Sequence, residues 1–380
     1  SLSQCFQNKW AVVSIRSGAA GAKKDIKRAI DWLEKFESVI FMFDMDEVGQ
    51  KSAKECAMLL SPSKAKIAHL PLKDPSEMLQ AGRTKELIDA VWEAKVHRPD
   101  GIVSGAELWD TLTKTEAVES VPYPYEGIND KTHGIRTGEI VTICAGSGIG
   151  KSQLTREIAH HLLKNEQTIG YIALEESVKR TALGLLSLQL NLPIHLGKHE
   201  VSDADLWRAF SESLGSGNCY FYDHFGSSDE DNLLSRIRYF GVALGCKYII
   251  LDHLSIVVSG LEGGDERRII DNTMTKIRTL VEELQIGMIL VSHLKRPSGD
   301  KGHEDGLSTS LAQLRGSAAI GQLSDIVIGL ERNQQAQEDS DLSTVRILKN
   351  RWTGETGVCC SLQYNKETGR MSEQSEEVDF

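Results

Sequence analysis

Residues 145–152 have the composition of a phosphate-binding loop. Their sequence, A-G-S-G-I-G-K-S, lies between an apolar run and a helix-forming stretch. Such a loop needs small residues whose backbone N–H groups wrap a β-phosphate, a Lys that reaches the β- and γ-phosphates, and a hydroxyl for Mg²⁺. An ordinary Gly-rich turn is the alternative, but G-K-S between a strand and a helix favours a nucleotide site, although Ala145 replaces the first Gly of the strict pattern. The expected contacts are Ala145, Gly146, Ser147, Gly148, Ile149, Gly150, Lys151 and Ser152.

Carboxylates follow two other apolar runs. Asp252 ends the run KYIILD and is predicted to hold the Mg²⁺ shell, as a second acid does in nucleotide hydrolases. Without the loop, a turn or a helix cap would be the usual interpretation of this Asp. Glu175 ends the next strand-like run after the loop, where a carboxylate can orient the attacking water. Glu176 is the rival for that role, and the sequence does not separate the two.

His293 ends the run VSH and is a candidate sensor of the γ-phosphate, although a lone His at a strand end is otherwise an ordinary surface residue. A polar, Gly-rich stretch follows it. Loops that carry Lys and Arg can follow a phosphodiester backbone without reading bases. A solvated loop is the alternative, but the position directly after the sensor strand favours DNA contact, because hydrolysis could then move the loops. The basic residues concerned are Lys295, Arg296, Lys301 and Arg315.

The elements that must position these residues alternate between strand and helix from about Thr137 onward. This alternation predicts an α/β fold with a mainly parallel sheet and covering helices. Ligands of such folds bind beyond the carboxyl ends of the strands, where the polar residues above are expected. The predicted strands are Ile140–Ala145, Thr168–Leu174, Lys247–Leu251, Ile286–Ser292, Asp325–Leu330 and Thr344–Leu348, and a long amphipathic helix is predicted over Asp265–Leu284.

A smaller α/β unit is predicted at the start of the chain. A helix is expected over Ala22–Glu37, a buried strand over Ser38–Phe43, a second helix after Gly49 and a weak strand in KIAHLPL. Pro, Gly and Ser in Lys95–Gly105 predict a linker. Ser104 can cap a helix beyond it.

The composition narrows the class of protein. At 380 residues, two or three domains are expected, and 40% hydrophobic residues exclude a wholly disordered chain. There is no apolar run of membrane-spanning length and no signal-peptide pattern, and residue 1 is Ser, so a fragment or processed chain is expected. The net charge of −11 argues against a surface coated with positive charge, but not against local nucleic-acid contacts. Seven cysteines without a C-x-x-C pair indicate a reducing cytoplasm.

The sequence as a whole resembles the bifunctional primase–helicases of T-seven-type phages and, more distantly, the mitochondrial helicase Twinkle. The motifs cover essentially the whole chain: AGSGIGKS, IALEES, IILDHLSIVVSG, GGDERRIIDN, SHLK, LRGSAAIGQLSD, LERNQQ, RILKNRWTGETG and YNKETG. The resemblance implies a RecA-like P-loop domain that forms a homo-oligomeric ring, normally a hexamer with a heptamer left open, and moves 5′ to 3′ on single-stranded DNA. It implies Mg²⁺, an NTP fuel that is ATP or dTTP, and work at forked DNA in the cytoplasm of the phage-infected host, with no membrane partner.

The resemblance also assigns roles to single residues. Lys151 and Ser152 match the phosphate-loop pair, Glu175 the catalytic base, Asp252 the Mg²⁺-linked acid and His293 the γ-phosphate sensor. Four more residues match a neighbouring sensor, an arginine finger that reaches the next subunit's nucleotide, its companion, and an aromatic that packs on the base: Gln322, Arg351, Arg332 and Tyr364, respectively. Because an arginine finger is supplied by the neighbouring subunit, efficient hydrolysis requires the assembled ring.

Further matches concern partners. The central-channel DNA loops match Lys295, Lys301, Arg315 and Gly316. Gly321 occupies the position where the family usually has another DNA-contacting Arg. The resemblance therefore implies that the DNA affinity of this chain, or the salt dependence of that affinity, is weaker than in its relatives. The helix near 104–113 matches one that docks on the next subunit. The acidic tail that ends in Phe380 matches a segment that engages the replicative DNA polymerase.

The first unit resembles the second half of a TOPRIM primase domain. Asp44 and Asp46 match its metal-binding D-x-D pair, since two carboxylates beyond a strand end can hold Mg²⁺ for phosphoryl transfer. Lys73, Asp74 and Glu77 match the later KD-x-x-E signature. The sequence contains neither the zinc module nor the earlier TOPRIM half with its catalytic Glu, so we expect no template-directed primer synthesis by this chain.

The resulting domain hypothesis is a partial TOPRIM unit over 1–94, a linker and docking helix over 95–118, a helicase domain over 119–371 and an acidic tail over 372–380. Two other functions remain open. A RecA-type recombinase shares the fold and the phosphate loop but forms open filaments. The second alternative function is that of a catalytically inactive scaffold that binds the polymerase. It is disfavoured because the chain retains all the expected catalytic residues, namely Lys151, Glu175, Asp252, His293 and Arg351.

Overall fold

The computed structural model describes residues 2–97, 119–197, 199–223, 230–254, 266–297, 301–316 and 318–374, together with 105, 108, 109 and 113. The chain divides into two compact units, 1–116 and 117–380. Within the described ranges, none of the helices is both long and apolar enough to cross a membrane.

The first unit is built on a three-stranded sheet in the order β1-β2-β3. β1 and β2 run parallel, and β3 lies antiparallel to β2. The strands are β1 (Val39–Phe41), β2 (Ala65–Ile67) and β3 (Lys95–Val96). The helices are α1 (Leu2–Cys5), α2 (Gly18–Arg28), α3 (Ile30–Leu33), α4 (Glu47–Ala57), α5 (Pro75–Gln80) and α6 (Thr84–Trp92). Apolar side chains of α2 and α4 form a core with β1 and β2.

Two predictions for this unit are corrected by the structure. The single helix expected over Ala22–Glu37 is interrupted at Ala29, whose φ of −102° and ψ of 9° are not helical, and the interruption lets Leu33 pack into the core. Lys95 and Val96, assigned to the linker from sequence, pair with β2 and complete the sheet. The docking helix proposed near 104–113 lies largely outside the described residues.

The second unit contains a nine-stranded sheet in the order β14-β13-β12-β11-β6-β10-β9-β7-β8, and a separate pair formed by β4 and β5. The strands are β4 (Ser120–Val121), β5 (Ile135–Arg136), β6 (Ile140–Ala145), β7 (Ile169–Ala173), β8 (Cys219–Phe221), β9 (Tyr248–Asp252), β10 (Gly287–His293), β11 (Ile326–Glu331), β12 (Leu342–Asn350), β13 (Gly357–Asn365) and β14 (Arg370–Glu373). The helices are α7 (Glu126–Thr132), α8 (Lys151–Lys164), α9 (Val178–Leu190), α10 (Asp203–Glu212), α11 (Glu230–Val242), α12 (Glu266–Leu284) and α13 (Ala318–Leu323).

The large sheet is parallel where it carries the site and antiparallel at one edge. The pairs from β11 through β6, β10, β9 and β7 to β8 are all parallel, whereas β12, β13 and β14 add antiparallel. β6 lies between β10 and β11, and all its residues are buried, as expected for a strand covered on both faces. Val141 and Ile143 pack with Leu154 of α8, and Ile140 packs on the opposite face with Met274 of α12.

The α/β architecture and the six predicted strands of this unit are confirmed, each within a few residues of the observed bounds. The helix expected over Asp265–Leu284 is confirmed as α12. The sequence did not predict β8, β13 or β14. The acidic tail was predicted to start at residue 372, but Ser372 and Glu373 belong to β14, so this predicted boundary is too early. The Glu373 carboxylate accepts hydrogen bonds from the backbone N–H groups of Glu126 and Gly127.

Candidate active site

The phosphate-binding loop joins the end of β6 to the start of α8. Gly148 and Gly150 have φ values of +73° and +117°, which side chains rarely tolerate. A Cβ at Gly146 would lie 2.5 Å from Cβ of His303, so this position is restricted by packing. Ile149 is buried in the core and anchors the loop, whereas Ser147 and Gly148 are exposed. The loop therefore presents its backbone outward at the carboxyl end of the central strand.

Lys151 is buried at the first position of α8. Its ammonium donates hydrogen bonds to the carbonyl oxygens of Ala145 at 3.3 Å and Gly146 at 2.8 Å. Burial lowers the pKa of Lys151, and the carboxylates of Asp252 and Glu175 oppose that shift. An ammonium has three donors, so one N–H remains for a phosphate oxygen after these two bonds.

Ser152 and Asp252 form the oxygen pair expected for Mg²⁺. The Ser152 hydroxyl donates to Oδ2 of Asp252 over 2.9 Å, and Asp252 ends β9, the strand beyond β10 from the loop. Burial raises the pKa of Asp252, and the hydrogen bond from Ser152 lowers it. A hydroxyl and a carboxylate are hard oxygen ligands, and Mg²⁺ binds through few protein oxygens while keeping several waters. These residues therefore fit the ion.

Glu175 and Glu176 have different hydrogen-bond partners in the structure. Both carboxylate oxygens of Glu176 accept hydrogen bonds from Nη2 of Arg156, at 2.7 and 2.6 Å, and the Arg180 guanidinium lies 3.9 Å away. The carboxylate of Glu175 instead lies 2.6 Å from Nε2 of His253 and 3.7 Å from Nε2 of His293. Because β7 delivers Glu175 to the strand ends that carry Asp252 and His293, it is the better placed of the two for water activation.

His293 lies at the end of β10, beside the loop strand. Burial lowers the pKa of His293 to about 4, and the positive charge of Lys151 lowers it in the same direction, so the ring is neutral at pH 7. A neutral imidazole has one N–H donor, which suits recognition of a phosphate oxygen. Its ring lies edge-on to the ring of His253, with centroids 4.2 Å apart.

Glu175, His253 and His293 are close enough for a shared metal ion, since their potential ligand atoms lie within 4.8 Å of one another. Metal-bound imidazoles usually donate their second ring nitrogen to an acceptor. Nδ1 of His253 is buried and has no hydrogen-bond partner among the described residues. The cluster is therefore better explained as a hydrogen-bonded group than as a metal centre.

Four other predicted site residues lie in or directly after later elements of the unit: Gln322 in α13, Arg332 after β11, Arg351 after β12 and Tyr364 in β13. Arg351 contacts Asp325 at 3.2 Å and donates to the carbonyl oxygen of Gln322 at 2.6 Å. Arg332 pairs with Asp341 at 2.8 Å, and Asp341 also accepts the backbone N–H of Tyr364 through its carbonyl oxygen. The hydrogen bonds given above for Arg351 and Arg332 do not involve the loop 145–152, and half of the Arg351 side chain is exposed.

Two of the predicted DNA-binding residues, Lys295 and Arg315, are attached to the end of β10. The backbone N–H of Lys295 donates to Gln313, and that of Arg315 donates to the carbonyl oxygen of His293. Lys295, Lys301 and Arg315 have exposed side chains. Gly316 follows with a φ of +94°, and a Cβ there would lie 2.4 Å from Cδ1 of Ile270. The structure thus joins the candidate DNA loops directly to the candidate phosphate sensor.

In the first unit, the D-x-D pair follows β1. Asp44 and Asp46 are exposed, and Asp46 also caps α4 by accepting the N–H of Gly49 at 2.7 Å. The backbone N–H of Met45 donates to Lys73, which brings the K-D-x-x-E segment beside the pair. Asp74 caps α5 through two backbone N–H groups. Phe380, the predicted polymerase contact, lies outside the described residues.

Several residues of the site were not predicted from sequence as functional. His253 contacts Glu175, Arg156 neutralises Glu176, and Gln334 donates from Nε2 to the carbonyl oxygen of Gly148 over 2.7 Å. His253 follows Asp252 directly, so its position at a strand end was the available signal. Arg156 carried no comparable signal, because it reaches the site only through tertiary packing. Gln334 lies in the motif LERNQQ, but the resemblance assigned it no role.

The fold and the loop define a P-loop nucleotide-binding protein of the α/β class. A model of the DnaB-like helicase C terminal domain matches residues 120–373, and a Toprim-like model matches residues 1–79. The chain belongs to the DnaB-like helicase family, and the resemblance to phage primase–helicases is confirmed.

Curated relatives agree with this assignment. A DNA helicase/primase of Enterobacteria phage T3 is 38% identical over 376 residues, which cover 97% of this chain and 66% of the relative. A replicative DNA helicase DnaB of Leifsonia xyli subsp. xyli is 25% identical over 62% of this chain and 51% of the relative. The chain thus spans about half to two thirds of the length of these relatives.

A solved structure shows the same fold. It is that of a DnaB-like replicative helicase, determined in a study of its interactions with primase. It superposes with a TM-score of 0.61 at 17% identity, covering 86% of this chain and 78% of that one. A second solved structure, an isolated ATPase domain, gives a TM-score of 0.59 at 20% identity over 73% of this chain and 100% of that one. The RecA-like fold predicted from sequence is confirmed.

Proposed function

We propose that this chain is a replicative DNA helicase, a ring-shaped motor that couples NTP hydrolysis to 5′–3′ movement on single-stranded DNA and unwinds forked DNA. Membership of the DnaB-like family and the similarity to a phage helicase/primase support the class. The observation that carries the proposal is the shared strand end: the His293 carbonyl oxygen accepts the N–H of Arg315 at 2.9 Å. A change at the nucleotide is thereby one hydrogen bond away from a basic DNA loop.

The hydrolytic step follows from the geometry of the loop. Lys151 and the backbone of residues 145–150 bind the phosphates, and Ser152 with Asp252 would hold Mg²⁺, which when bound would supply neutralisation of the phosphate charge. Glu175 takes the proton of the attacking water, since it is free of the Arg156 pair that occupies Glu176. His293 donates its N–H to the γ-phosphate and loses that contact on hydrolysis.

Movement on DNA follows from the attachment of the loops to β10. Loss of the His293 contact shifts the strand end, and with it Lys295 and Arg315, whose basic side chains bind the DNA backbone. Lys301 and Gly316 complete this DNA surface. Contacts of this type are sequence-independent, as a replicative motor requires.

Ring assembly is proposed because the finger residue has an exposed side chain. Arg351 reaches the nucleotide of a neighbouring subunit, assisted by Arg332, while Gln322 senses the phosphate and Tyr364 packs on the base. In an isolated subunit Arg351 is held by Asp325. A hexamer is the proposed assembly, with ATP or dTTP as fuel.

Two further sites belong to the proposal. Asp44 and Asp46 would hold Mg²⁺ in the Toprim-like unit, and Phe380 with the acidic tail would bind the replicative DNA polymerase. Because Glu373 is part of β14, the tail is best tested by removing residues 375–380 and measuring polymerase binding. Unchanged binding after that deletion would rule out the tail as the polymerase contact.

The test of the main function is hydrolysis of ATP and dTTP with and without single-stranded DNA, followed by unwinding of forks with a 5′ or a 3′ loading strand. Strong stimulation by DNA and unwinding from the 5′ tail are expected. Filaments instead of rings in electron micrographs, with strand exchange, would indicate a recombinase. Absence of hydrolysis in every condition would favour the inactive scaffold.

A further inference from the structure

The ring of His253 is buried directly behind the candidate catalytic carboxylate. Its exposed fraction is 5%, and its Nε2 lies 2.6 Å from Oε1 of Glu175. An ionised carboxylate only accepts hydrogen bonds, so Nε2 carries the proton and donates it. Among the described residues, this is the one hydrogen bond recorded for the Glu175 carboxylate.

Glu175 needs such a partner because its side chain is 46% exposed. An exposed carboxylate on a flexible side chain samples many orientations, and a general base acts only when one oxygen lies within hydrogen-bond reach of the water. A hydrogen bond from a buried ring holds Oε1 and leaves Oε2 for the water. Misplacement of a reacting group by about 1 Å can lower a rate by on the order of 100-fold.

We propose that His253 is a positioning residue, which holds the Glu175 carboxylate in the orientation that activates water. This inference rests on the proposed hydrolytic function. His253 takes no proton from the reaction and contacts neither phosphate nor metal in this role. Its edge-on contact with His293, at 4.2 Å between ring centroids, links the orientation of the base to the strand end that senses the γ-phosphate.

Two substitutions separate the hydrogen bond from the volume of the ring. His253→Leu removes the donor while keeping an apolar group of similar size, and His253→Gln restores an amide donor near the position of Nε2. For His253→Leu we expect kcat for DNA-stimulated hydrolysis to fall on the order of 10- to 100-fold, with KM within about threefold of the wild type. His253→Gln should recover most of kcat.

His160→Leu is the matched control, because His160 is also a buried histidine, 2% exposed, whose Nε2 is hydrogen-bonded to Gln189 in the same unit. It should lower stability without a comparable fall in kcat. Combining His253→Leu with Glu175→Gln tests the mechanism further: once the base is gone, loss of its positioning residue should have no additional effect on kcat.

The outcomes distinguish this inference from the proposed function. Equal kcat in wild type and His253→Leu, or an equal loss in His253→Leu and His160→Leu, overturns the positioning role alone. A full additional loss in the Glu175→Gln background also overturns it, since His253 would then act independently of Glu175. Hydrolysis absent from the wild type in every condition overturns both the positioning role and the helicase function.

Discussion

The hydroxyl of Ser152 donates a hydrogen bond of 2.9 Å to Oδ2 of Asp252, which joins the first turn of α8 to the end of β9. The two groups are neighbours although a hundred residues separate them. The sheet order explains this, because β9 and the loop strand β6 both flank β10 and run parallel to it. Binding of one Mg²⁺ ion by both oxygens would therefore depend on the alignment of the strands β6, β10 and β9.

Ser152→Ala should raise the Mg²⁺ concentration needed for half-maximal hydrolysis on the order of 10- to 100-fold, because it removes one oxygen of the pair. Ser152→Thr keeps the hydroxyl and serves as the control, with a requirement close to that of the wild type. Titrations of Mg²⁺ at fixed nucleotide measure the effect. Identical curves for Ala and Thr would show that the hydroxyl does not contribute to the ion site.

Glu175→Gln and Glu176→Gln should have different consequences. Glu175→Gln is expected to lower kcat by about 10²- to 10⁴-fold with nucleotide binding retained, because a general base is lost. Glu176→Gln should instead lower the free energy of unfolding by about 1–3 kcal/mol, because Arg156, whose side chain is 8% exposed, loses its counter-charge. Steady-state kinetics and urea denaturation of both variants test this, and a larger fall of kcat in Glu176→Gln would reverse the assignment.

Arg351→Ala should lower hydrolysis on the order of 10³-fold if the guanidinium acts as a finger between subunits. Folding should change little, since Asp325 keeps its contact with Arg278 and the backbone N–H of Ile140. Mixing Arg351→Ala with Lys151→Ala subunits provides the decisive measurement. Each inactive partner supplies what the other lacks, so activity should return on mixing, whereas a finger that acts within one subunit would leave every mixture inactive.

The sequence predicted the parts of the fold that depend on local pattern. Buried, β-branched runs predicted β6, β9, β10 and β11, and G-K-S predicted the phosphate-binding loop. Strands β13 and β14 were missed, since their half-buried pattern is weaker than that of a strand covered on both faces.

The choice between Glu175 and Glu176 could not be made from sequence. Both are acidic residues at the same strand end, and only their hydrogen-bond partners distinguish their roles. Arg156 comes from α8 and His253 from the end of β9, so both partners depend on packing between distant segments. The same applies to Asp325, whose contacts with Arg278 and Arg351 come from α12 and from the residue after β12.

Gly316→Ala should weaken single-stranded DNA binding and lower stability by about 1–3 kcal/mol. Its φ of +94° strains any other residue, and the new Cβ would lie 2.4 Å from Cδ1 of Ile270, a buried side chain of α12 that would have to shift. Gly354→Ala is the control, because its φ of +80° is similar but open space surrounds it. Fluorescence anisotropy with labelled DNA should show a larger loss of affinity for Gly316→Ala, and equal losses would exclude the clash as the cause.

The stability of the second unit should fall as the pH decreases from about 6.5 toward 4, in part through His160. Burial lowers the pKa of His160 from 6.5 to about 4, with the charge of Lys164 acting in the same direction. Between these values the unfolded chain binds a proton that the folded ring does not, so acid favours unfolding.

From pH 7 to pH 5 this single group should lower the free energy of unfolding by about 2 kcal/mol. His160→Gln removes the titration while leaving an amide beside Gln189, so its loss of stability between pH 7 and pH 5 should be smaller than that of the wild type by about that amount. Chemical denaturation followed by circular dichroism at the two pH values measures the difference. An equal pH dependence in both proteins would mean that His160 titrates alike in the folded and unfolded chain.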